Sequence, residues 1–171
     1  FFYSPANPKP GDLITFTYIP SKLFKGKPAG IEAIISISTA TNSSIDNIRL
    51  RKYGNRYTGN IQTQPGDCFI YFGFFNNGLF DNDDKGYHII LKENNRPVKW
   101  AYWGLSKYWL EGFQWLKDNN VAQKNSASKA LALNALSEEI DNNPEAIDVL
   151  FDTYISLLKK NGRVDTAKEL I

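Results

Sequence analysis

The sequence predicts an α+β protein in two segregated parts, an antiparallel β-sandwich over residues 1–95 and an α-helical segment over residues 98–171. Three observations support this prediction. Short stretches of alternating apolar and polar residues, separated by turn-forming clusters, fill the chain as far as Glu93. The composition changes at residues 94–97. Beyond them, apolar residues recur at steps of three and four, which is typical of amphipathic helices.

The composition argues against several classes of function. The chain carries 20 basic and 18 acidic side chains, a net charge of +2, which gives no electrostatic reason to expect a nucleic acid partner or an anionic membrane. No apolar run approaches the roughly 20 residues that a membrane-spanning helix needs. The single cysteine, Cys68, excludes an internal disulfide and a CxxC pair within these residues. The first residue is Phe, which fits removal of an export signal or a trimmed chain.

The first predicted strands are separated by strong turn signals. The Pro-Gly-Asp run at residues 10–12 precedes a strand at residues 13–19, in which Ile14, Phe16 and Tyr18 share one face. In the next strand, Ile31, Ala33, Ile35 and Ile37 share a face in the same way. The predicted strands from there onward lie at residues 31–39, 48–53 and 56–63, with turns at residues 42–44 and 54–55.

The stretch at residues 68–75 is apolar on both faces, so it is predicted to be a central strand that is covered from both sides. A last strand is predicted at residues 87–92. About seven strands at near-regular spacing, with no helix between them, favour an antiparallel sandwich of immunoglobulin-like type. The disulfide and strand tryptophan of antibody domains are absent from these residues, so the prediction concerns the architecture alone.

The helical part is predicted to hold four helices. The first runs from about Trp100 to about residue 117 and closes at residues 118–120. Ser126 or Ser128 caps the second. Asn143 is the predicted N-cap of the third, with Pro144 as its first residue. The inner, apolar face of the second helix is formed by Leu131, Ala135, Leu136 and Ile140. The third helix ends at Lys159 and Lys160, and Asn161 and Gly162 form the turn after it. The fourth helix begins at Arg163 or Val164.

The last of these helices resemble a tetratricopeptide-type hairpin. Phe151, Leu158, Gly162 and Ala167 match its spacing of two large residues, a turn glycine and a small residue. Ile155 departs from it, because the repeat prefers a small residue at that place. The resemblance covers about one hairpin and implies a helical repeat.

The whole layout resembles the N-terminal region of bacterial envelope proteins of the thioredoxin family, in which an immunoglobulin-like domain and helical repeats precede a thioredoxin domain. The matching segments are residues 10–12, 52–59 and 81–87. The resemblance implies an exported protein of the periplasm or cell envelope. These residues would be its non-catalytic accessory or interaction region, which positions a downstream redox domain or recruits its client. The catalytic CxxC of the family does not occur among them, so thiol:disulfide oxidoreductase activity is expected only of the longer protein.

The acidic stretch before the last strand invites a calcium interpretation. An EF-hand loop beginning at Asp81 would need an oxygen ligand where Lys85 stands and a glutamate where Lys92 stands, so this is not an EF-hand. A looser calcium site built from Asp81, Asp83 and Asp84 is one interpretation. A solvated hairpin turn is the other. No further metal and no cofactor is expected.

An aromatic run opens the helical part, and its Trp100, Tyr102, Trp103 and Trp109 are binding candidates. Large rings bury much area with few rotors, which suits a glycan or a protein partner. Packing of the rings on neighbouring helices and on the β part is the alternative. A ligand-binding module for glycans and a helical-repeat scaffold for proteins are therefore the alternatives to the accessory region.

No catalytic constellation is predicted. His88 is expected to be an ordinary strand residue, and Cys68 a buried, unreactive thiol. The adjacent Glu138 and Glu139 do not face each other on a helix, and they are predicted to lie on a solvated face. These residues therefore do not predict an enzyme.

Overall fold

The computed structural model describes residues 1–24, 26, 30–83, 86–119, 121 and 128–171. It shows an α+β protein of antiparallel sheets and helices, in agreement with the predicted class. Strands occupy the described chain as far as Pro97, and helices follow from Ala101. The strands are β1 (Phe2–Ser4), β2 (Leu13–Tyr18), β3 (Glu32–Ser38), β4 (Ser43–Arg49), β5 (Arg51–Tyr53), β6 (Arg56–Gln62), β7 (Phe69–Asn76), β8 (Leu79–Asp81), β9 (Tyr87–Ile90), β10 (Lys92–Glu93) and β11 (Arg96–Pro97).

Two larger sheets face each other across an apolar core. The first sheet has the strand order β1-β2-β6-β5. The second has the order β4-β3-β7-β8, with β9 also paired to β7. Alternation along the strands supplies the core from both sheets, because every second side chain of a strand points to the same face. The core side chains from β2, β3, β6 and β7 are Ile14, Phe16, Tyr18, Ala33, Ile35, Ile37, Tyr57, Ile61, Ile70, Phe72 and Phe74.

Strand β7 is buried on both faces, which confirms the prediction of a strand covered from both sides. Ile70, Phe72 and Phe74 belong to the core between the sheets. Phe69 and Tyr71 belong to a second apolar cluster, which they share with the helices. The helices therefore form a third layer on the outer face of the second sheet.

The predicted strand at residues 48–53 is wrong in one respect. The chain leaves the second sheet at Arg49 and enters the first at Arg51, so the stretch belongs to two strands. The predicted turn at residues 42–44 lies earlier, since the Asn42 N–H donates to Thr39 Oγ1 at 3.1 Å and Ser43 already belongs to β4. Strand β4 is almost wholly exposed, and a strand without a buried face gives no alternating signal.

The helices are α1 (Ala101–Glu111), α2 (Gln114–Asp118), α3 (Lys129–Asn142), α4 (Ile147–Lys160) and α5 (Val164–Glu169), with a 3₁₀ turn at Pro144–Ala146 before α4. The single helix predicted from Trp100 to residue 117 is wrong, because Gly112 at φ 75° ends α1 and Phe113 is extended. Ser128 caps α3, its Oγ accepting from the Leu131 N–H at 3.3 Å, whereas Ser126 lies outside the described residues. Of the described helices, none is long and apolar enough to cross a membrane.

Candidate binding sites on the helix-covered sheet

Helix α1 lies directly against the second sheet, and a glycine permits the approach. A Cβ added at Gly104 would stand 2.7 Å from the Cβ of Phe69 in β7, closer than two carbon atoms can pack. On the same helix the Ser106 hydroxyl donates to the Ala132 carbonyl of α3 at 2.9 Å. Helix α1 is thereby held between the sheet and α3.

Glu139 joins α3 to the start of α1, and the prediction that it lies on a solvated face is wrong. Its side chain is 0% exposed. Oε1 accepts the Trp100 N–H at 2.7 Å, and Oε2 accepts the N–H groups of Tyr102 at 3.0 Å and Trp103 at 3.2 Å. A carboxylate suits this place because the first N–H groups of a helix lack partners and carry partial positive charge. The carboxylate therefore caps a helix other than its own.

Asn143 completes the same cap. Its side-chain amide donates to Glu139 Oε1 at 2.8 Å. Asn143 stands at the predicted N-cap position, directly before Pro144, but its side chain makes no hydrogen bond to the helix that it precedes. Trp100 adopts φ 74°, a left-handed conformation that is costly for a bulky residue, and the Glu139 carboxylate holds its N–H there.

A buried pair of tyrosines forms the second connection between sheet and helix. The rings of Tyr71 in β7 and Tyr108 in α1 stack with centroids 3.9 Å apart, and the Tyr108 hydroxyl donates to the Tyr71 oxygen at 2.7 Å. The Asn82 amide lies 3.4 Å from the same Tyr108 oxygen. Burial raises the pKa of the Tyr71 hydroxyl well above its ordinary value, so both hydroxyls stay neutral at any physiological pH.

The four aromatic binding candidates do not form one exposed platform. Trp109 is 7% exposed and belongs to the core that the helices share with β7. Trp100 and Trp103 are half-buried against that core, and Tyr102 is half-buried as well. The three tryptophan rings therefore pack against the core that the helices share with β7.

Lysines cover what remains of two of these rings. The Lys99 ammonium lies 5.1 Å from the centroid of the Trp100 ring, and the Lys107 ammonium lies 5.5 Å from that of Trp103. Both distances fall within the range of a cation–π interaction. A sugar that stacked on either indole would first have to displace a lysine.

An open cleft lies beside α1, where the helix leaves part of the second sheet uncovered. It has a volume of about 290 Å³, near the lower limit of small-ligand sites. Its floor is the outer face of β3, β4 and β7, and its wall is the second half of α1. We name it the α1–β4 cleft. Its lining is mixed. The apolar and aromatic side chains are Ile45, Phe69, Tyr71, Tyr108 and Phe113, and the other side chains are Ser36, Ser38, Thr41, Asn42, Ser43, Lys107, Glu111 and Gln114.

The floor of this cleft follows from alternation along β3. Ile35 and Ile37 point into the core between the sheets, so Ser36 and Ser38 point to the opposite face. Cross-strand pairing places Ile45 of β4 opposite Ser36, and Ile45 is 40% exposed. The cleft therefore offers hydroxyl and amide groups beside exposed Ile45 and several aromatic rings, with a positive and a negative charge on its wall.

Asp81 and Asp83, two of the three aspartates in the calcium interpretation, have different surroundings. Asp81 is buried, and its Oδ2 accepts a hydrogen bond from the Tyr18 hydroxyl while its Oδ1 accepts the Asp83 N–H at 3.1 Å. Asp83 is exposed, and Asp84 lies outside the described residues. Within the described ranges no group of three metal-binding side chains comes together.

Cys68 and His88 occupy structural positions. The Cys68 thiol is buried, it donates to the Ser38 carbonyl at 3.0 Å, and burial raises its pKa to about 12. At neutral pH it therefore holds negligible thiolate, the form that reacts as a nucleophile. His88 Nδ1 lies 3.3 Å from the Gly86 carbonyl, and burial lowers the pKa of its ring. Neither side chain has a catalytic partner among these contacts.

Sequence reasoning missed Ser36, Ser38 and Lys107 as cleft residues. The face opposite Ile35 and Ile37 was visible in the alternation of β3, so the polar half of the floor could have been found. The wall could not, because the place where α1 crosses the sheet depends on long-range packing. Comparison with protein-family models, with curated proteins and with solved structures gives no match.

Proposed function

We propose that this chain is a non-catalytic interaction module that binds a short extended segment of a protein in the α1–β4 cleft. In this proposal it is the accessory region of an exported thioredoxin-family protein of the bacterial envelope, and it positions the redox domain or recruits its client. The observation that carries the binding proposal is an open cleft that mixes hydroxyl, amide and charged side chains with apolar ones above a hydrogen-bonded sheet.

The chemistry of the lining favours a polypeptide. Serine, threonine and asparagine side chains can donate to and accept from peptide groups, and exposed Ile45 supplies an apolar contact for a side chain. Lys107 and Glu111 stand on the same wall, four residues apart, so charged side chains of either sign find a partner. The half-buried and lysine-covered indoles, in contrast, give little support to glycan stacking on α1.

Two finer statements on the fold belong to the same proposal. The common core of two antiparallel sheets supports an immunoglobulin-like sandwich. Buried Ala167 in α5, packed on α4 across a turn at Gly162 with φ 77°, supports a tetratricopeptide-like hairpin. Such a hairpin would also suit a protein-binding scaffold.

Binding of an unfolded polypeptide tests the function. The probe is an S-carboxymethylated, permanently unfolded protein, titrated against the isotope-labelled chain and followed by NMR. Shift changes are expected at Ser36, Thr41 and Ser43. Ser43→Trp should fill the cleft and weaken binding at least tenfold. Ser44→Trp is the matched control, because the neighbouring side chain lies on the opposite face of the same exposed strand.

The result that overturns the proposal is equal binding by the two variants, or no binding by the unaltered chain. A titration with a neutral oligosaccharide distinguishes the glycan alternative, which predicts shifts at Trp100 and Tyr102 instead. The family proposal has its own test. The reading frame that encodes this chain should also encode a thioredoxin domain with a CxxC pair, and a frame without one would remove that part of the proposal.

A further inference from the structure

The outer face of the first sheet presents polar side chains to solvent. Cross-strand pairing aligns Phe2, Thr17, Thr58 and Arg51 in one row across its four strands. Thr15 lies opposite Asn60 in the next row. With neighbouring strands about 4.8 Å apart, the four strands form a face about 14 Å wide. This face carries threonine hydroxyl groups together with the exposed apolar side chains of Phe2 and Leu13.

Two arginines stand at one edge of this face because of the residue between them. Leu50 is buried in the core between the sheets. Its neighbours Arg49 and Arg51 both point away from that core, since side chains two residues apart in extended chain share a side. Both arginines are exposed. They flank the point at which the chain passes from the second sheet to the first.

Local charge at this edge differs from the charge of the whole chain. Residues 47–66 contain Arg49, Arg51, Lys52 and Arg56 and no acidic residue, which gives +4 against a net charge of +2 for all 171 residues. Glu32 is paired with Arg49 across the strands, but its carboxylate accepts from the Asn47 amide. Across the described ranges the ion pairs are Lys99–Glu145 and Lys168–Asp165, so neither Arg49 nor Arg51 has a carboxylate within 4.0 Å.

A groove joins the arginines to the polar face. It has a volume of about 340 Å³ and is lined by Ile48, Arg49, Arg51, Tyr53, Thr58, Gly59 and Asn60. The Tyr53 side chain is 62% exposed, which is unusual for so large a ring with an apolar body. The groove thus combines two unpaired guanidinium groups, an aromatic ring, a hydroxyl and an amide.

We propose that this groove binds an acidic oligosaccharide, one whose sugars carry carboxylate or sulfate groups. Arginine presents a planar fork of N–H donors that matches these groups in bidentate fashion. An exposed tyrosine ring offers a flat surface for the apolar face of a sugar, and Thr58 and Asn60 offer partners for its hydroxyls. The site is separate from the α1–β4 cleft, with which it shares no residue.

The observations favour a sugar over other polyanions. Single-stranded nucleic acids bind proteins through several aromatic rings on which successive bases stack, whereas this groove has Tyr53 as its one aromatic ring. An acidic peptide would need apolar contacts beside its charges, and Ile48 is the one branched aliphatic side chain of the lining. The hydroxyl and amide groups beside the arginines fit the hydroxyl-rich edge of a saccharide.

Calorimetric titration of the full chain tests the proposal. The probes are a tetramer of galacturonic acid, a sulfated disaccharide, a neutral tetrasaccharide of glucose and a thymidine oligonucleotide. At least one of the two acidic sugars should bind, with affinity that falls as salt is raised because the contact is between charges. The neutral sugar and the oligonucleotide should bind at least tenfold more weakly.

Variants locate the site. Arg51→Gln and Tyr53→Ala, both exposed, should each weaken binding of the acidic sugar at least tenfold while leaving the circular dichroism spectrum unchanged. Arg96→Gln is the matched control, an exposed arginine outside the groove, and it should bind like the unaltered chain. Ser43→Trp in the α1–β4 cleft should also leave sugar binding unchanged, which separates this inference from the proposed function.

Three results would overturn the inference. One is the absence of binding by both acidic sugars at low salt. Another is binding that Arg51→Gln and Tyr53→Ala leave within twofold of the unaltered chain. The third is oligonucleotide binding as tight as that of the best acidic sugar, which would indicate a general polyanion site.

Discussion

The outer faces of the two sheets differ in what covers them. On the second sheet, α1 covers Phe69 and Tyr71, and the Tyr71 hydroxyl is hydrogen-bonded to Tyr108 of that helix. On the first sheet, Thr15, Thr17 and Asn60 point into solvent. In both sheets, successive side chains of a strand point alternately to the core and to the outer face. Whether an outward side chain serves stability or recognition therefore depends on the layer above it.

The largest expected effect comes from removing an apolar side chain beneath the helices. Phe69→Ala should reduce the free energy of unfolding by about 3–5 kcal/mol, because a large ring leaves a cavity between β7 and α1. Thr15→Ala on the bare face should change it by less than about 0.5 kcal/mol. Urea unfolding measures both. Similar losses for the two variants would show that the faces do not differ as described.

The buried carboxylate gives the next effect. Glu139→Gln should cost about 2–3 kcal/mol, because charged hydrogen bonds to three backbone N–H groups are lost and the new amide meets donors instead of acceptors. Glu138→Gln is the matched control, because Glu138 is the adjacent residue on the same helix and its side chain is exposed. It should cost less than about 0.5 kcal/mol. Equal costs would contradict the cap.

The buried tyrosine pair gives a smaller effect. Tyr108→Phe removes the hydroxyl that donates to Tyr71 and leaves that oxygen buried without its donor, so unfolding should become easier by about 1–2 kcal/mol. Tyr53→Phe removes an exposed hydroxyl from the bare sheet and should be neutral within error. Thermal unfolding of both variants checks the difference, and a neutral Tyr108→Phe would remove the hydrogen bond from the account.

The smallest effect concerns pH. Burial lowers the pKa of His88 in the folded chain, so below the ordinary pKa of about 6.5 the unfolded chain binds a proton that the folded chain does not. Stability should therefore fall as pH drops from 7 to 5. His88 is the only histidine, and His88→Gln should flatten this part of the profile. If the variant loses as much stability between pH 7 and 5 as the unaltered chain, the pH dependence would come from carboxylates and not from His88.

The sequence predicts much of the β part, because alternation is a local signal. Ile14, Phe16 and Tyr18 and the doubly buried β7 lie as predicted. It fails at β4, whose side chains are exposed on both faces, and at Arg49–Arg51, where the chain changes sheets. Nothing in the local pattern distinguishes that change from one continuous strand.

Sequence reasoning also fails where a polar residue is satisfied by a distant segment. Glu139 has the pattern of a solvated helix position, yet its partners are the N–H groups of residues 100, 102 and 103. The groove at Arg49 and Arg51 was missed for a different reason. The net charge of the whole chain conceals a local excess of +4, which the sequence itself contains.

The helices and the second sheet form one core, although the sequence changes character at residues 94–97. All four tryptophans lie between residues 100 and 115, so their fluorescence reports on the helices. Amide hydrogen exchange in β2 and β6 reports on the first sheet. Followed together through urea, the two signals should give one midpoint and one free energy of unfolding. Loss of the tryptophan signal at lower urea, with β2 and β6 still protected, would show that the helices unfold separately from the sheets.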